Sequence, residues 1–207
     1  MTRANSPTRR APGRPLDPEI ESRVFEAARE IYAETGWSGF SIHSVAATAR
    51  VGKAAIYRRW TSKEELIVDA IASMLSGEVE PRDSLREDLI AVVQWELREY
   101  LTTNVGIVRL RAQIEAKIYP DLFGAAMERF RRLRLAGGKR IITAAIERGE
   151  LAGDVNGAQL LDAIGGMTVN RFLATPSYAL RSLERNSREF AEETVDFALR
   201  AVERRCE

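Results

Sequence analysis

The apolar positions of the chain recur every three or four residues, which is the spacing of one face of an α-helix. In the first such segment, Pro18 suits the first helical turn and Asp17 suits the N-cap before it. Gly36 is typical of a helix stop. The apolar face of this first predicted helix consists of Ile20, Val24, Ala27 and Ile31.

Two short helices are predicted next. Ser41 is a suitable cap for the second helix, and a third is expected from about Lys53 to Trp60, after a turn over residues 50–52. Helices this short depend on neighbouring helices for stability. Two such helices around a tight turn form a helix-turn-helix unit, whose second helix enters the major groove of DNA. Their predicted inward residues are Ile42, Val45, Ala46, Ala49, Ile56 and Trp60.

Capping boxes mark the start of two later helices. Ser62 with Glu65, and Ser84 with Glu87, have the spacing in which the serine accepts from a backbone N–H and the glutamate reaches back to the cap. The first box predicts a fourth helix through about residue 76. The second box precedes a helix that carries Leu85, Leu89, Val92, Val93 and Leu97. Further helices are expected at about 105–118, 121–148, 157–173 and 187–203.

No period-two strand pattern interrupts these segments, so the sequence predicts an all-α protein of about nine helices. Gly137 and Gly138 are expected to weaken, kink or break the long helix that contains them. Pro81 marks a boundary. The predicted division is a flexible basic arm over 1–16, a helix-turn-helix head over 17–63, a connecting helix over 64–80, and a ligand-binding and dimerisation body over 81–207.

Charge is distributed unevenly between the two ends of the chain. The net charge is only +1, but residues 1–63 hold eleven basic and six acidic side chains, a local charge of +5. Residues 1–16 and 41–63 contain no acidic residue at all. A basic segment without acidic side chains is typical of a surface that binds phosphates. The basic residues of the second segment are Arg50, Lys53, Arg58, Arg59 and Lys63.

The composition is that of an ordinary soluble globular protein, with 45% hydrophobic and 29% charged residues. No stretch approaches the roughly 18–20 apolar residues of a membrane span, and no apolar signal core follows the basic start. The one cysteine, Cys206, cannot form an internal disulfide. We therefore expect a cytoplasmic protein.

The run from Phe40 to Leu66 resembles the DNA-binding segment of TetR-family transcriptional regulators, and the resemblance extends over about residues 17–75. Residues 145–151 also resemble a segment found in some bodies of that family. The resemblance implies a three-helix DNA-binding head and a divergent helical body. It further implies a homodimer, double-stranded operator DNA as partner, and in most members a small-molecule inducer.

The resemblance also assigns roles to individual residues of the head. Ser41, Tyr57 and Lys63 match phosphate-binding positions, and Lys53 opens the recognition helix. Arg50 stands where a turn glycine is usual, and Gly52 stands where a capping Ser or Thr is usual. The remaining predicted DNA contacts are Ala54, Ala55 and Arg58 at positions that meet bases, Arg59 on the same side, and His43 near phosphate.

The arm carries Arg10 and Arg14 in a sequence that resembles the Gly-Arg-Pro arms which enter A·T-rich minor grooves. A merely solubilising tail is the alternative. In the body, aromatic and methionine side chains at helical spacing could line an apolar ligand cavity or could simply form core. These candidates, with two polar residues among them, are Trp95, Tyr100, Gln113, Tyr119, Phe123, Met127, Phe130, Met167, Asn170 and Phe172.

The sequence predicts a regulator, most often a repressor that a largely hydrophobic ligand releases from a palindromic operator. An activator or a ligand-blind regulator is an open alternative, as is an all-α enzyme or scaffold with a vestigial helix-turn-helix. His43 is the only histidine, and no cluster of histidine, cysteine or paired carboxylates appears at catalytic spacing. We therefore expect no catalytic residues and no metal site, and we expect no cofactor. Dimerisation is expected through 157–173 and 187–203, packed as a four-helix bundle.

Overall fold

The computed structural model describes residues 18–74, 81–82 and 84–203. Within these residues the fold is entirely helical, with ten α-helices and one short 3₁₀ turn at Ser177–Ala179. The helices are α1 Pro18–Gly39, α2 Ile42–Thr48, α3 Lys53–Tyr57, α4 Lys63–Ala72, α5 Leu85–Leu101, α6 Val105–Ile118, α7 Pro120–Glu147, α8 Gly157–Ala174, α9 Leu180–Arg185 and α10 Ser187–Glu203. The arm with Arg10 and Arg14, the Asp17 cap and Cys206 lie outside the described residues.

The predicted all-α class is confirmed, and helices α3, α4 and α9 differ from the prediction. Helix α4 ends at Ala72 rather than at about residue 76. Helix α9 was not predicted, and its Leu183 packs against the core of the body. Helix α3 ends at Tyr57 rather than at Trp60. The chain nevertheless continues in a tight turn, since the backbone N–H groups of Arg59 and Trp60 both donate to the Ile56 carbonyl.

The serine caps form as predicted. Ser41, Ser62 and Ser84 each accept a hydrogen bond from the backbone N–H three residues later, at 3.1–3.2 Å. The first capping box differs in one bond. The Glu65 carboxylate accepts from the N–H and hydroxyl of Thr61, at 2.6 and 2.7 Å, and so satisfies the residue before the cap.

Glycines act differently in the two long helices. Gly36 has φ +66° and bends the end of α1, as its predicted role as a stop requires. Helix α7, in contrast, continues through Gly137 and Gly138, so the predicted break is wrong. The reason is tertiary packing: a Cβ on Gly138 would lie 2.4 Å from a methyl carbon of Leu161, so glycine allows α8 to approach α7.

Two apolar cores organise the molecule. The first contains residues of α1 to α4 together with Val108, Ala112 and Phe123 of α6 and α7. The second joins α5, α7, α8 and α10. The core of the predicted head is therefore shared with the predicted body within the described residues, because side chains of α6 and α7 complete it. Helices α6 and α7 connect the two parts through direct packing.

The turn between α2 and α3 places Arg50 at φ 54°, the only positive φ of a non-glycine residue in the part of the chain that the structure describes. We expect Arg50→Gly to raise the free energy of unfolding by about 1 kcal/mol. A side chain in this conformation costs roughly 1–2 kcal/mol, and the greater freedom of unfolded glycine offsets part of the gain. Chemical denaturation measures the difference.

Arg50→Ala is the control, because it removes the charge and keeps the Cβ atom. It should leave the free energy of unfolding nearly unchanged. Equal stabilisation by alanine and glycine would show that backbone strain is not the cause.

Candidate nucleic-acid interface and body cavity

The inward side of α3 fixes the helix to the head. Ile56 is fully buried and Trp60 is 3% exposed. The Trp60 indole N–H donates to the Asp69 carboxylate of α4 at 3.0 Å, and its ring packs against Phe25 of α1 with centroids 5.4 Å apart. The prediction that Ile56 and Trp60 face the core is confirmed, and the opposite side of α3 is thereby held toward solvent.

The outward side of α3 carries exposed cationic and small side chains. Lys53, Ala54 and Arg58 are exposed, and Tyr57 is 55% exposed although it is a large aromatic residue. Ala55 and Arg59 are half-buried, and the Arg59 guanidinium donates to the Ala55 carbonyl at 3.4 Å. Small residues in the first turn of α3 allow its backbone to approach a flat or grooved partner closely.

The start of α2 and the turn after it lie beside α3. Ser41 caps α2, and its hydroxyl lies 2.9 Å from that of Ser44. His43 is exposed in the first turn of α2, and Arg50 is exposed in the turn. Gly52 caps α3 without a side-chain hydrogen bond, and a Cβ there would have no atom within 4 Å. The α3 N-terminus is therefore open to solvent.

Lys63 begins α4, and its side chain contacts two other residues of the head. Its ammonium lies 4.0 Å from the centroid of the Trp37 ring and donates to the Phe40 carbonyl at 3.3 Å. An ammonium has three donors, and this single hydrogen bond leaves others for a further acceptor. The side chain is half-buried, so its position is fixed more firmly than that of an exposed lysine.

The segment from Ser41 to Lys63 thus presents hydroxyls, cations and one exposed aromatic without an intervening acid. Arginine, lysine, serine and tyrosine side chains are the usual donors to phosphate oxygens, whereas arginine in a groove reads guanine. The predicted residues of α2, the turn, α3 and the start of α4 are therefore arranged as a surface that can bind DNA. The contributions of Arg10 and Arg14 stay a prediction.

The body contains a cavity of about 120 Å³ between α5, α6, α7 and α8. Met74, at the end of α4, also contributes to its wall. Most of the lining is apolar, and its polar residues are Glu96, Arg109 and Arg134. A smaller space of about 20 Å³ adjoins it and shares Met74, Trp95, Arg109 and Phe130.

The structure brings three predicted pocket residues together and places the others elsewhere. Trp95 and Phe130 line the cavity, and Met127 lines the adjoining space. Tyr100 is buried and stacks on Phe172, with ring centroids 4.9 Å apart. The other candidates lie outside the cavity lining. Phe123 belongs to the first core, and Met167 and Asn170 line a groove between α8 and α10. Gln113 is half-buried on α6, and Tyr119 is 41% exposed.

Sequence reasoning missed the charged residues Arg109 and Arg134 of the cavity. Arg109 shares the spacing of Val105, Val108 and Ala112, so an arginine on an apolar face was the available signal. It is 6% exposed and donates to the Tyr100 hydroxyl at 2.7 Å. Burial raises the pKa of the Glu96 carboxyl above its usual value, and the positive charges of Arg109 and Arg134 oppose this rise.

Glu115 of α6 joins the body to the head. Its two carboxylate oxygens accept from the Tyr32 hydroxyl at 2.6 Å and from the Trp37 backbone N–H at 3.0 Å. Burial, followed by the hydrogen bond to Glu115, raises the pKa of Tyr32. Because Trp37 lies near the end of α1, Glu115 helps to fix the point at which the chain leaves α1 for α2. Glu115 does not line the cavity.

None of the helices in the described residues is both long and apolar enough to span a membrane. No group of three or more histidine, cysteine, aspartate or glutamate side chains within them is arranged to hold a metal ion.

Two family models match successive parts of the chain. The model for bacterial regulatory proteins of the tetR family matches residues 24–70, which include α2 and α3. The model for the tetracyclin repressor-like C-terminal domain matches residues 79–198, more than half of the chain. The chain belongs to the TetR family of transcriptional regulators.

Individual TetR-family proteins support the same assignment. The DNA-binding transcriptional repressor TetR of Mycobacteroides abscessus is 32% identical over 163 residues, which cover 72% of this chain and 79% of that protein. GusR of Salmonella enterica has a TM-score of 0.67 at 18% identity, covering 89% of this chain and 95% of that one. FadR of Bacillus subtilis, solved with stearoyl-CoA, has a TM-score of 0.67 at 16% identity, covering 86% and 97%. These two structures support the fold.

The placement of Tyr57 and Arg58 on the outer side of α3 predicts different effects on DNA binding. Arg58→Ala should reduce the preference for the cognate half-site over a single-base variant, because a base contact contributes about 1–3 kcal/mol of discrimination. Tyr57→Phe should weaken binding to both sequences alike, since a phosphate contact carries no sequence information. Competition titrations with the two DNA duplexes measure both effects.

Arg129→Ala is the matched control, because Arg129 is an exposed arginine on α7 in the body. It should change neither affinity nor preference. Loss of sequence preference in Tyr57→Phe, with preference intact in Arg58→Ala, would reverse the two roles.

Proposed function

We propose that this TetR-family protein is a homodimeric repressor that binds a palindromic operator through α2 and α3 and leaves it when a small, largely hydrophobic ligand occupies the body. The observation that carries the DNA-binding part is the exposed, acid-free surface from Ser41 to Lys63. Such a surface attracts phosphates over the whole segment, while residues 64–207 have an excess of acidic side chains and are not attracted to DNA. We place its action in the cytoplasm.

The residues divide by the atoms that they would contact. Phosphate contacts are assigned to the hydroxyl and cationic groups at the rim of the surface, and base contacts to the outer side of α3, because that helix is the one exposed along its first turns. The phosphate set is Ser41, His43, Arg50, Lys53, Tyr57, Arg59 and Lys63. The base set is Ala54, Ala55 and Arg58.

A second copy of the chain is proposed to pack on α8 and α10. Phe197 of α10 is 61% exposed and Leu173 of α8 is 65% exposed, so both helices carry apolar side chains that a second copy would cover. Two grooves, of about 870 and 500 Å³, run beside these helices, and both are lined by Met167 and Phe197. A two-fold dimer places two heads on the two halves of a palindrome.

Helices α4 and α6 connect the cavity to the head. Met74 lines the cavity at the end of α4, and Lys63 begins the same helix in the DNA-binding surface. Arg109 lines the cavity on α6, and Glu115 of that helix bonds to the end of α1. A ligand that displaces either helix would change the separation of the two heads, provided that it binds the displaced form more tightly.

Selection of bound DNA from a random pool tests the operator, and Phe197→Glu tests the dimer. The selected sequence should be an inverted repeat, because a two-fold dimer reads each half identically.

Phe197→Glu should produce a monomer in analytical ultracentrifugation, because it buries a charge in the interface. It should also weaken operator binding by at least about 100-fold, since linked binding of two heads is lost.

Ile114→Glu is the matched control, because Ile114 on α6 is 63% exposed and lies away from α8 and α10. It should leave the dimer and its operator affinity intact. A dimeric Phe197→Glu protein, or a selected sequence without two-fold symmetry, would contradict the proposal.

A further inference from the structure

One carboxylate oxygen in the body cavity has no hydrogen-bond partner. Glu96 is 7% exposed, and its Oε2 atom is buried and unpartnered. The side chain lines the cavity together with Trp95, its neighbour on α5. A buried acceptor without a donor is destabilising, so a molecule that brings a donor to this oxygen recovers free energy on binding.

A guanidinium held by aromatic rings lies on the same cavity wall. The Arg109 guanidinium lies 5.0 Å from the ring centroid of Tyr100 and 5.6 Å from those of Trp95 and Phe130. It donates a hydrogen bond to the Tyr100 hydroxyl, and no salt bridge of 4 Å or less joins it to Glu96 in the described structure. The wall therefore offers fixed donors as well as the free acceptor.

Gly165 permits a second guanidinium to approach the same place. A Cβ on Gly165 would lie 2.5 Å from Nη2 of Arg134 and 3.9 Å from Oε2 of Glu96. Oε2 of Glu96 and Nη2 of Arg134 therefore lie on the same side of Gly165. A ligand atom near Oε2 can donate to Glu96 and accept from an arginine of the same wall.

The rest of the cavity sets the size of the ligand. At about 120 Å³ the cavity is below the roughly 300–1,000 Å³ of pockets that hold drug-sized molecules, and similar to an apolar cavity of about 150 Å³ that holds benzene. Val92, Phe130, Ile141 and Leu161 supply apolar walls. One ring with a single polar substituent matches both the volume and the lining.

We infer that the cavity selects a compact, uncharged, single-ring molecule whose hydroxyl group bonds to Glu96, with the guanidinium of Arg109 or Arg134 as the donor to the hydroxyl oxygen. The inference rests on the proposed function, because it names the chemical class of the ligand at that site. A hydroxyl both donates and accepts, so it pairs with Glu96 in the ionised or the protonated form. A charged ligand loses its hydration in this apolar site and disturbs the balance between Glu96 and the arginines.

Four one-ring probes test the chemistry with the full-length dimer: phenol, toluene, benzoate and benzylammonium. Dissociation constants come from ligand-observed NMR titration. Phenol should bind about tenfold more tightly than toluene, from one hydrogen bond to a charged or polar buried group, and more tightly still than the two ions. Glu96→Leu should reduce phenol to the affinity of toluene, whereas Glu96→Gln, which keeps a hydrogen-bonding group, should retain most of the preference.

Two glycine variants locate the site. A Cβ on Gly137 would meet no atom within 4 Å, and Gly137 lines the cavity, so Gly137→Leu should fill it and abolish phenol binding. Gly124→Leu is the matched control, because Gly124 on the same helix also has free space and lies outside the cavity lining. It should leave phenol binding unchanged.

The inference is overturned if benzoate or benzylammonium binds as tightly as phenol, if Glu96→Leu keeps the preference for phenol, or if Gly137→Leu still binds it. Operator release is measured separately with labelled DNA. Phenol binding without release of the operator supports the cavity chemistry and contradicts ligand-controlled repression. Release by a charged compound that Gly137→Leu abolishes supports ligand-controlled repression and overturns the inference.

Discussion

The carboxylate of Glu115 binds the Tyr32 hydroxyl and the Trp37 backbone N–H together, and the placement of the DNA-binding surface depends on this contact. Both partners belong to the second half of α1, and Trp37 lies just before the chain turns into α2. The first core also joins the body to the head, because Val108, Ala112 and Phe123 of α6 and α7 pack among side chains of α1 to α4. A shift of α6 is therefore a shift of the head.

Separation of charge along the chain explains how a nearly neutral protein can bind DNA selectively. The net charge of +1 combines a basic N-terminal part with an acidic remainder. The acid-free segment is exposed on α2, α3 and the turn between them, whereas Glu96 and Arg109 of the cavity are buried, with aromatic rings around the Arg109 guanidinium. Basic residues thus have two roles in one chain, and burial distinguishes Arg109 in the cavity from Arg58 on the surface.

Local features of single helices could be predicted from sequence, whereas contacts between distant helices could not. Ser41, Ser62 and Ser84 cap helices through bonds that span three residues, and Ile56 and Trp60 face inward because of helical periodicity. The cavity depends on which helices pack together. Phe123 and Phe130 lie seven residues apart on α7 and therefore on the same side of the helix, yet Phe123 completes the first core and Phe130 lines the cavity. Gly138 was misread as a breaker because only the packing of Leu161 explains it.

The salt dependence of operator binding tests the central claim most directly. If the dimer contacts about eight phosphates through the acid-free surface, the logarithm of affinity should fall with the logarithm of salt concentration at a slope of roughly −7. Lys53→Gln removes one cation from each head and should make that slope shallower by about 2. A slope near zero, or an unchanged slope in Lys53→Gln, would contradict DNA binding through this surface.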